Sequence, residues 1–415
     1  MAKSNYLTTI AIDTNHAAIH FYSMVGNDKN TITHNIKSYA GVKLDENFFE
    51  KFKEAVNDFT ANTPSDSIRK VSVILPDSAV LTDLIKVPTV KGSSQMQKML
   101  DVTLGGLYRN YKNLHIVAQM AEQNKQYSTI GITAVQNSIV SSIYSACSEN
   151  KLLVDTLTFA SASSIAAANI FNPKLKNASY VFLDIKDIYS RFVFVVDGKA
   201  MGFYTLPFGL EFLRKSNVVR EDLLFDHTYA ELIVLNAQEK ARSKKLTVMA
   251  FGETSSRAAN SDISDNNELS ETGEALANEL DNNEEEYTAE EVTVDSNGKK
   301  IFMRKAPKNL PKFMLQDIPE TEEGITYANF RVFVKWALNL INNNEKITEL
   351  DKPQFVCVNL PEDLSYVIDM TNEESEENGI TFTRLSNSDE APVVSNNLEL
   401  FGGLYPNHIN SANKL

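Results

Sequence analysis

The sequence predicts an α/β protein built from two duplicated domains, with a small α+β subdomain inserted in the first. Three short β-rich segments follow one another at residues 7–12, 17–24 and 31–39, and three more at 180–184, 191–196 and 201–206. The opening segment of each set is closed by an aspartate, Asp13 in one and Asp184 in the other. After each set come helical periodicity and a short apolar stretch, 71–75 and 354–359. Such stretches are buried on both faces when they lie centrally in a sheet flanked by helices.

Each element has a local reason. Thr14, Asn15 and His16 make a polar turn after Asp13, and 26–30 supplies the next one. Asp45 is placed to cap a helix in which Phe48, Phe49, Phe52, Val56 and Phe59 recur at three- and four-residue spacing, giving an aromatic face. Strand-like segments at 80–87, 114–121, 127–135 and 152–159 alternate with helices at 94–108 and 136–149. This β-α-β-β-α-β order suits a compact inserted subdomain. In the second set Asp197-Gly198 marks a hairpin turn. Helices are expected from Glu211 and over 221–242. Farther on, Phe330, Phe333, Val334, Ala337, Leu338 and Ile341 share one stripe, and Val332, Trp336 and Leu340 add a second, so that helix is expected to be buried on most sides. A short helix over 395–404 closes the pattern. These elements assign 1–79 and 160–172 to the first domain, with 393–406 returning to it, and 80–159 to the inserted subdomain. The second domain takes 173–251 and 299–392, separated by an insertion over 252–298.

That insertion holds most of the charge. It carries fourteen acidic side chains against the single Arg257, while the whole chain has a net charge of −14. With Tyr287 as its one aromatic residue it lacks the apolar surface to offset the entropy of ordering, and it is expected to be disordered. Lys299, Lys300, Arg304, Lys305, Lys308 and Lys312 follow directly. Pairing with the adjacent acidic tract is preferred for them over lipid or nucleic acid, because Pro307 and Pro311 interrupt any amphipathic helix. Cys147 and Cys357 lie far apart in apolar stretches and read as core residues. His16 and His20 are spaced i,i+4, but in a turn and a strand that spacing is not expected to bring two rings together. No signal peptide and no run of about 18 apolar residues is visible, so the chain is expected to stay in the cytoplasm.

The duplicated meanders with their aspartates, the inserted subdomain entered through Leu75-Pro76, the segment ending Leu206-Pro207-Phe208-Gly209 and the helix around Trp336 together resemble the actin-like ATPase superfamily. Within it the chain resembles the PilM family of type IV pilus assembly, and the FtsA family of cell division has a similar arrangement. The resemblance implies an actin-like, ribonuclease-H-like fold. It also implies ATP and magnesium held between two hairpin turns, each reading aspartate, any residue, glycine, then small polar residues.

Here the turns depart from that pattern. The first reads Asp13, Thr14, Asn15, His16, where Asn15 can take the left-handed conformation of a glycine but His16 puts an imidazole at the γ-phosphate position. The second reads Asp184, Ile185, Lys186, Asp187, with a lysine at the glycine position. A glycine pair expected against adenosine is replaced by Asn359, Leu360, Pro361. The chain has 16 glycines in 415 residues, well below the usual share of about 7%. Asp13, Thr14, Asn15 and Asp184 are therefore read as a residual nucleotide cleft. The two aspartates either hold a hydrated magnesium ion or accept hydrogen bonds from the amides of their own turns; the second reading is preferred, since magnesium in such sites relies on phosphate oxygens. No nucleophile motif and no Walker or dinucleotide glycine loop is present, so no catalytic residue, no metal and no resident cofactor is expected.

What the resemblance then implies is a cytoplasmic pilus-assembly scaffold, a pseudo-ATPase peripheral to the inner face of the cell membrane. It would bind the short cytoplasmic peptide of a membrane-anchored pilus partner and contact the pilus assembly ATPase, without nucleic acid. Self-association stays open. The alternatives are an ATP-binding member with redrawn turns and an FtsA-like filament protein, whose family ends in an amphipathic helix where this chain reads Tyr405-Pro406-Asn407-His408-Ile409-Asn410.

Overall fold

The computed structural model describes residues 5–26, 32–42, 47–63, 70–108, 111–123, 125–206, 208–215, 292–294, 300–302, 321–343, 353, 355–375, 379–385 and 397–415. The chain divides into a large body, Met1–Val218 with Asp317–Leu415, and a small one, Val219–Gln316.

The large body opens with strands β1 (Asn5–Asp13), β2 (Ala18–Gly26) and β3 (Ile32–Ala40), helix α1 (Phe48–Ala61) and strand β4 (Lys70–Leu75). The chain then makes β5 (Leu81–Pro88), α2 (Ser93–Leu107), β6 (Leu114–Gln123) and β7 (Tyr127–Gln136), and returns through α3 (Asn137–Glu149), β8 (Leu153–Phe159) and α4 (Ala160–Phe171). A second set follows: β9 (Tyr180–Ile185), β10 (Ser190–Val196), β11 (Lys199–Leu206) and α5 (Leu210–Leu213). In the small body the described residues form one hairpin, β12 (Val292–Val294) with β13 (Lys300–Phe302). The large body closes with α6 (Glu322–Asn343), β14 (Phe355–Asn359), α7 (Tyr366–Ser375), β15 (Thr381–Arg384) and α8 (Leu398–Gly403).

The duplication is explicit in the sheets. One has the order β3-β2-β1-β4-β8 and the other β11-β10-β9-β14-β15. In each, the first three strands are an antiparallel meander and the last two run parallel to the first. Two copies of this order in succession, with a subdomain spliced into the first, make the fold actin-like. Both aspartates end up at equivalent places, near the carboxyl end of the leading strand.

Burial explains the individual elements. On α1, Phe48, Phe52, Ala55, Val56 and Phe59 face the core, and Phe59 stacks on Phe21 of β2 at 4.3 Å between ring centroids. Phe49 of the expected aromatic face is only half-buried. The helix starts at Phe48 with Asn47 at its cap position and no side-chain cap bond, while Asp45 lies outside the described residues. Strands β9 and β10 are buried at every residue, as central strands covered on both faces must be. The β10–β11 turn has positive φ at Asp197 (49°) and Gly198 (69°), the geometry of a tight hairpin turn. Residues Thr326 to Leu338 of α6 are all buried, in agreement with its two apolar stripes.

Three expectations need correction. Strand β8, assigned by sequence to the inserted subdomain, pairs in parallel with β4 in the first sheet, and the inserted sheet is just β5-β7-β6. Helix α3 also belongs to the first domain, where Ile143, Ala146 and Cys147 join its core. The reason is topological: parallel neighbours need a crossover, α3 supplies it, and the insertion is spliced in ahead of that helix. Second, the acidic tract was expected to be disordered throughout, yet Val292, Thr293 and Val294 pair with Phe302, Ile301 and Lys300; three β-branched residues suit a strand. The rest of the tract, most of the basic cluster and the expected helix over 221–242 lie outside the described residues. Third, α4, α7 and β15 were not anticipated as elements.

Candidate functional site

The two aspartate-bearing turns follow the leading strands of the two sheets, β1 and β9. In the first turn the amides of Asn15 and His16 donate to Asp13 Oδ1 at 2.9 and 3.1 Å, so the carboxylate caps its own turn. Asn15 does not supply the left-handed residue; Ala17 does, with φ 47°. That moves the backbone reversal to the end of the turn, where the Ala17 carbonyl accepts from Val42. His16 folds back on Asp13, its Nδ1 2.7 Å from Oδ2, instead of standing over the turn. His20 Nε2 lies 3.5 Å from the same oxygen, and its Nδ1 is 2.7 Å from Ser38 Oγ. Both rings therefore reach one carboxylate, contrary to the sequence expectation, because the tight turn brings β2 alongside the end of β1. Burial alone would push the Asp13 carboxyl up, but the hydrogen bonds from His20 and His16 outweigh it and hold the group well below the usual range. Thr14, half-buried, occupies the first position of the turn.

The second turn is built differently. The Lys186 amide donates to the Tyr189 carbonyl at 2.9 Å, closing the loop between β9 and β10 on itself. Its carbonyl accepts from the Leu210 amide and that of Asp187 accepts from Glu211, at 2.8 and 3.0 Å, so the turn is docked against the start of α5. Gly209 allows this approach, since a Cβ there would lie 2.1 Å from the Lys186 oxygen. Asp184 is fully buried, and among the described residues its carboxylate is met by side chains, Ser164 Oγ donating to Oδ2 at 3.5 Å. Its Oδ1 accepts from Asn359 Nδ2 at 2.8 Å, and its Oδ2 faces Lys186 Nζ at 3.4 Å and Arg191 Nη1 at 3.9 Å. The expectation that both aspartates serve their own turns thus holds for Asp13 and fails for Asp184, because Asn359 and the two cations occupy its oxygens.

Lys186 and Arg191 turn this corner into an ion-pair network. Lys186 Nζ meets Glu399 Oε2 at 2.7 Å, and Arg191 Nε meets Asp77 Oδ2 at 3.0 Å. Arg191 also donates to Ser164 Oγ at 3.3 Å and to the Tyr189 hydroxyl at 3.1 Å. Asp77 accepts the amide and hydroxyl of Ser161, at 2.9 and 2.7 Å. Asp77 follows β4, Ser161 and Ser164 lie on α4, and Glu399 lies on α8, whereas Lys186 and Arg191 come from the β9–β10 hairpin. Both strong pairs therefore cross the cleft. Burial alone would pull the Lys186 ammonium down, yet the carboxylates of Asp184 and Glu399 raise it above the ordinary lysine value. The Arg191 guanidinium is likewise held charged against its burial, chiefly by Asp77. Burial pushes the Asp77 carboxyl up, against the pull of that guanidinium.

The third element expected to touch nucleotide also has an internal use. Asn359, at the end of β14, ties that strand to Asp184 of β9, and the Leu360 carbonyl accepts from Arg384 Nε at 3.2 Å. The structure thus sets the two turns near each other, with the His16 and Tyr189 rings 6.5 Å apart, and gives the amides of Asn15, His16 and Lys186 to internal acceptors. Sequence reasoning missed Asp77, Ser161, Ser164, Arg191 and Glu399. A signal existed: Arg191 opens the otherwise apolar run Phe192 to Val196, and Glu399 interrupts Leu398, Leu400 and Phe401. A charge inside an apolar run calls for a buried partner. Among the described residues no group of three histidine, cysteine, aspartate or glutamate side chains is arranged to hold a metal ion. Cys147 and Cys357 are buried, with thiols pushed up to about 12 by burial.

No protein-family model and no curated protein matches the sequence. Among solved structures, the chain is similar to a PilM-PilN type IV pilus biogenesis complex, with 10% identity, 98% of both chains covered and a TM-score of 0.49. It is similar to the ethanolamine utilization protein EutJ from Carboxydothermus hydrogenoformans, with 11% identity over 96% of this chain and 89% of that one and a TM-score of 0.34. A further similar structure is the cytoplasmic domain of EpsL, an inner membrane component of the type II secretion system of Vibrio cholerae. There the identity is 12%, the coverage 49% of this chain and 71% of that one, and the TM-score 0.33. Among the described residues no helix is long and apolar enough to cross a membrane.

Proposed function

We propose that this chain is a pseudo-ATPase of actin-like fold that works as a binding scaffold and does not turn over ATP. The observation that carries this reading is that the cleft is filled from within. Lys186–Glu399 and Arg191–Asp77 span it, and the turn amides that would cradle a phosphate are bonded to Asp13 and Tyr189. A triphosphate there would have to displace charge-assisted contacts, each stronger than an ordinary hydrogen bond. Asp13, Thr14, Asn15 and Asp184 are on this reading relics of a nucleotide cleft.

The process is proposed from the resemblance of element order and turns to the PilM family. The chain then serves type IV pilus or related secretion assembly as a cytoplasmic component, held at the inner face of the membrane by partners. A membrane-anchored pilus protein would dock through a short cytoplasmic peptide, and the assembly ATPase would be a second contact. Equilibrium binding of ATP with magnesium to the full chain and to Asp13→Ala tests the first part, with no saturable binding expected for either. Tight binding that depends on Asp13 contradicts it. Sedimentation with liposomes tests the second: retention is expected only with the membrane-anchored partner present, and retention by the chain alone, or filament growth in a polymerisation assay, contradicts it.

A further inference from the structure

At the outer edge of the first sheet an aspartate, a histidine and a serine stand in line across β1, β2 and β3. Ser38 of β3 is exposed and lies directly opposite His20 of β2. Its Oγ is 2.7 Å from His20 Nδ1, and Nε2 at the other end of that ring is 3.5 Å from Asp13 Oδ2. The tight turn that reverses β1 into β2 builds this line, since it sets the end of one strand beside the start of the next. Hydrogen bonds from His20 and His16 keep Asp13 a carboxylate against the effect of its burial. The amides of Asn15 and His16 fix its other oxygen.

A carboxylate only accepts, so the neutral His20 ring carries its proton on Nε2, toward Asp13, and presents a bare Nδ1 to the Ser38 hydroxyl. This is the order of nucleophile, base and orienting carboxylate that activates a serine, with the two ring nitrogens exchanged relative to the serine-protease arrangement. Strand β3 is outermost, so alternate amides along it point away from the sheet with no strand beside them among the described residues, where an acyl oxygen can meet them. Ile36 and Ala40 share the face of Ser38 and are exposed, an apolar shelf for a short acyl chain. We infer that Ser38 is a nucleophile for short-chain acyl esters, with His20 as its general base and Asp13 as the positioning residue of that base. Ser38 Oγ bonds the ester carbonyl carbon as its proton passes to His20 Nδ1; the C–O bond to the alcohol then breaks, and the alcohol leaves with that proton. Water attacks by the same route, its proton passing through His20 to Ser38 Oγ, and the carboxylic acid is released. This activity goes beyond the scaffold reading and does not depend on it.

The test uses the full chain with p-nitrophenyl acetate, followed by nitrophenol release and by peptide mass spectrometry of the acetylated protein. The parent is expected to carry the acetyl group on Ser38 and to release nitrophenol at least about 100-fold faster than Ser38→Ala or His20→Gln, the usual share of an activated nucleophile and its base. Asp13→Asn keeps the oxygen that accepts the turn amides, and it is expected to lower kcat at unchanged KM, the mark of an interaction made in the transition state. Equal rates in the parent and Ser38→Ala overturn the proposal, and so does acetylation of Lys37 or of a histidine with Ser38 unlabelled. A folded Asp13→Asn protein with the parental kcat also counts against it. Ser38 is exposed, so Ser38→Ala is expected to fold, and the labelling of Ser38 decides the question even if His20→Gln or Asp13→Asn does not fold.

Discussion

Arg191 is the residue on which most of the cleft converges, since it meets Asp77, Ser164, Tyr189 and Asp184 from a buried strand position. Arg191→Met leaves the Asp77 carboxylate buried with Ser161 alone, and removal of one partner of a buried pair costs about 3–5 kcal/mol. Urea denaturation is expected to show that loss. Removing both partners is a different case: Lys186→Met/Glu399→Met replaces that ion pair by apolar groups of similar length but also takes the ammonium from buried Asp184, and it is expected to cost no more than Lys186→Met alone, which strands both carboxylates. Asp13 gives a pH test. Its folded carboxyl lies below the ordinary carboxylate value, so its contribution is fully present above about pH 4 and is lost as the pH falls through the depressed value. Asp13→Asn keeps the oxygen that accepts the Asn15 and His16 amides. Its melting temperature is therefore expected to lie below that of the parent at pH 6, with the gap narrowing at pH 3.

Among the elements, α8 is the one whose position is most tightly fixed by backbone contact. Gly402→Ala would drive a methyl group into the Ser163 carbonyl of α4 and is expected to cost about 1–3 kcal/mol or more, measured as a lowered midpoint in denaturant. How much was legible in the sequence follows from the same packing logic. Strands β1–β3 and β9–β11 and helices α1 and α6 announce themselves by period-two or 3.6-residue apolar patterns, because each keeps the signature of a defined buried face. Helix α4 does not. Ala160 to Asn169 are buried all round in a run of alanine and serine, so no stripe distinguishes one face from another. The misassignment of β8 has another cause: a strand looks the same in sequence whichever sheet it joins, and only the crossover through α3 decides. At the site, the two aspartates were visible through their turns. Glu399 was not, since its partner Lys186 is more than two hundred residues away in the chain and meets it only after both sheets have formed.

At the scale of the molecule, the two halves are joined by more than the ion pairs. Asn413 is buried and bonds both polar groups of Ala200 on β11 at 3.0 Å, while its own carbonyl accepts Thr158 of β8 at 2.8 Å. Asn413→Ala would strand the Ala200 amide and carbonyl and is expected to cost about 1–3 kcal/mol by thermal or urea denaturation. Together with Lys186–Glu399 and Arg191–Asp77, this ties the first sheet to the second through the protein's own side chains. The most direct measurement is a crystal structure of the full chain grown with ATP and magnesium. The account predicts both ion pairs intact and no nucleotide between the Asp13 and Asp184 hairpins. Clear density for ATP there, with Lys186 drawn from Glu399 to a phosphate, would contradict it.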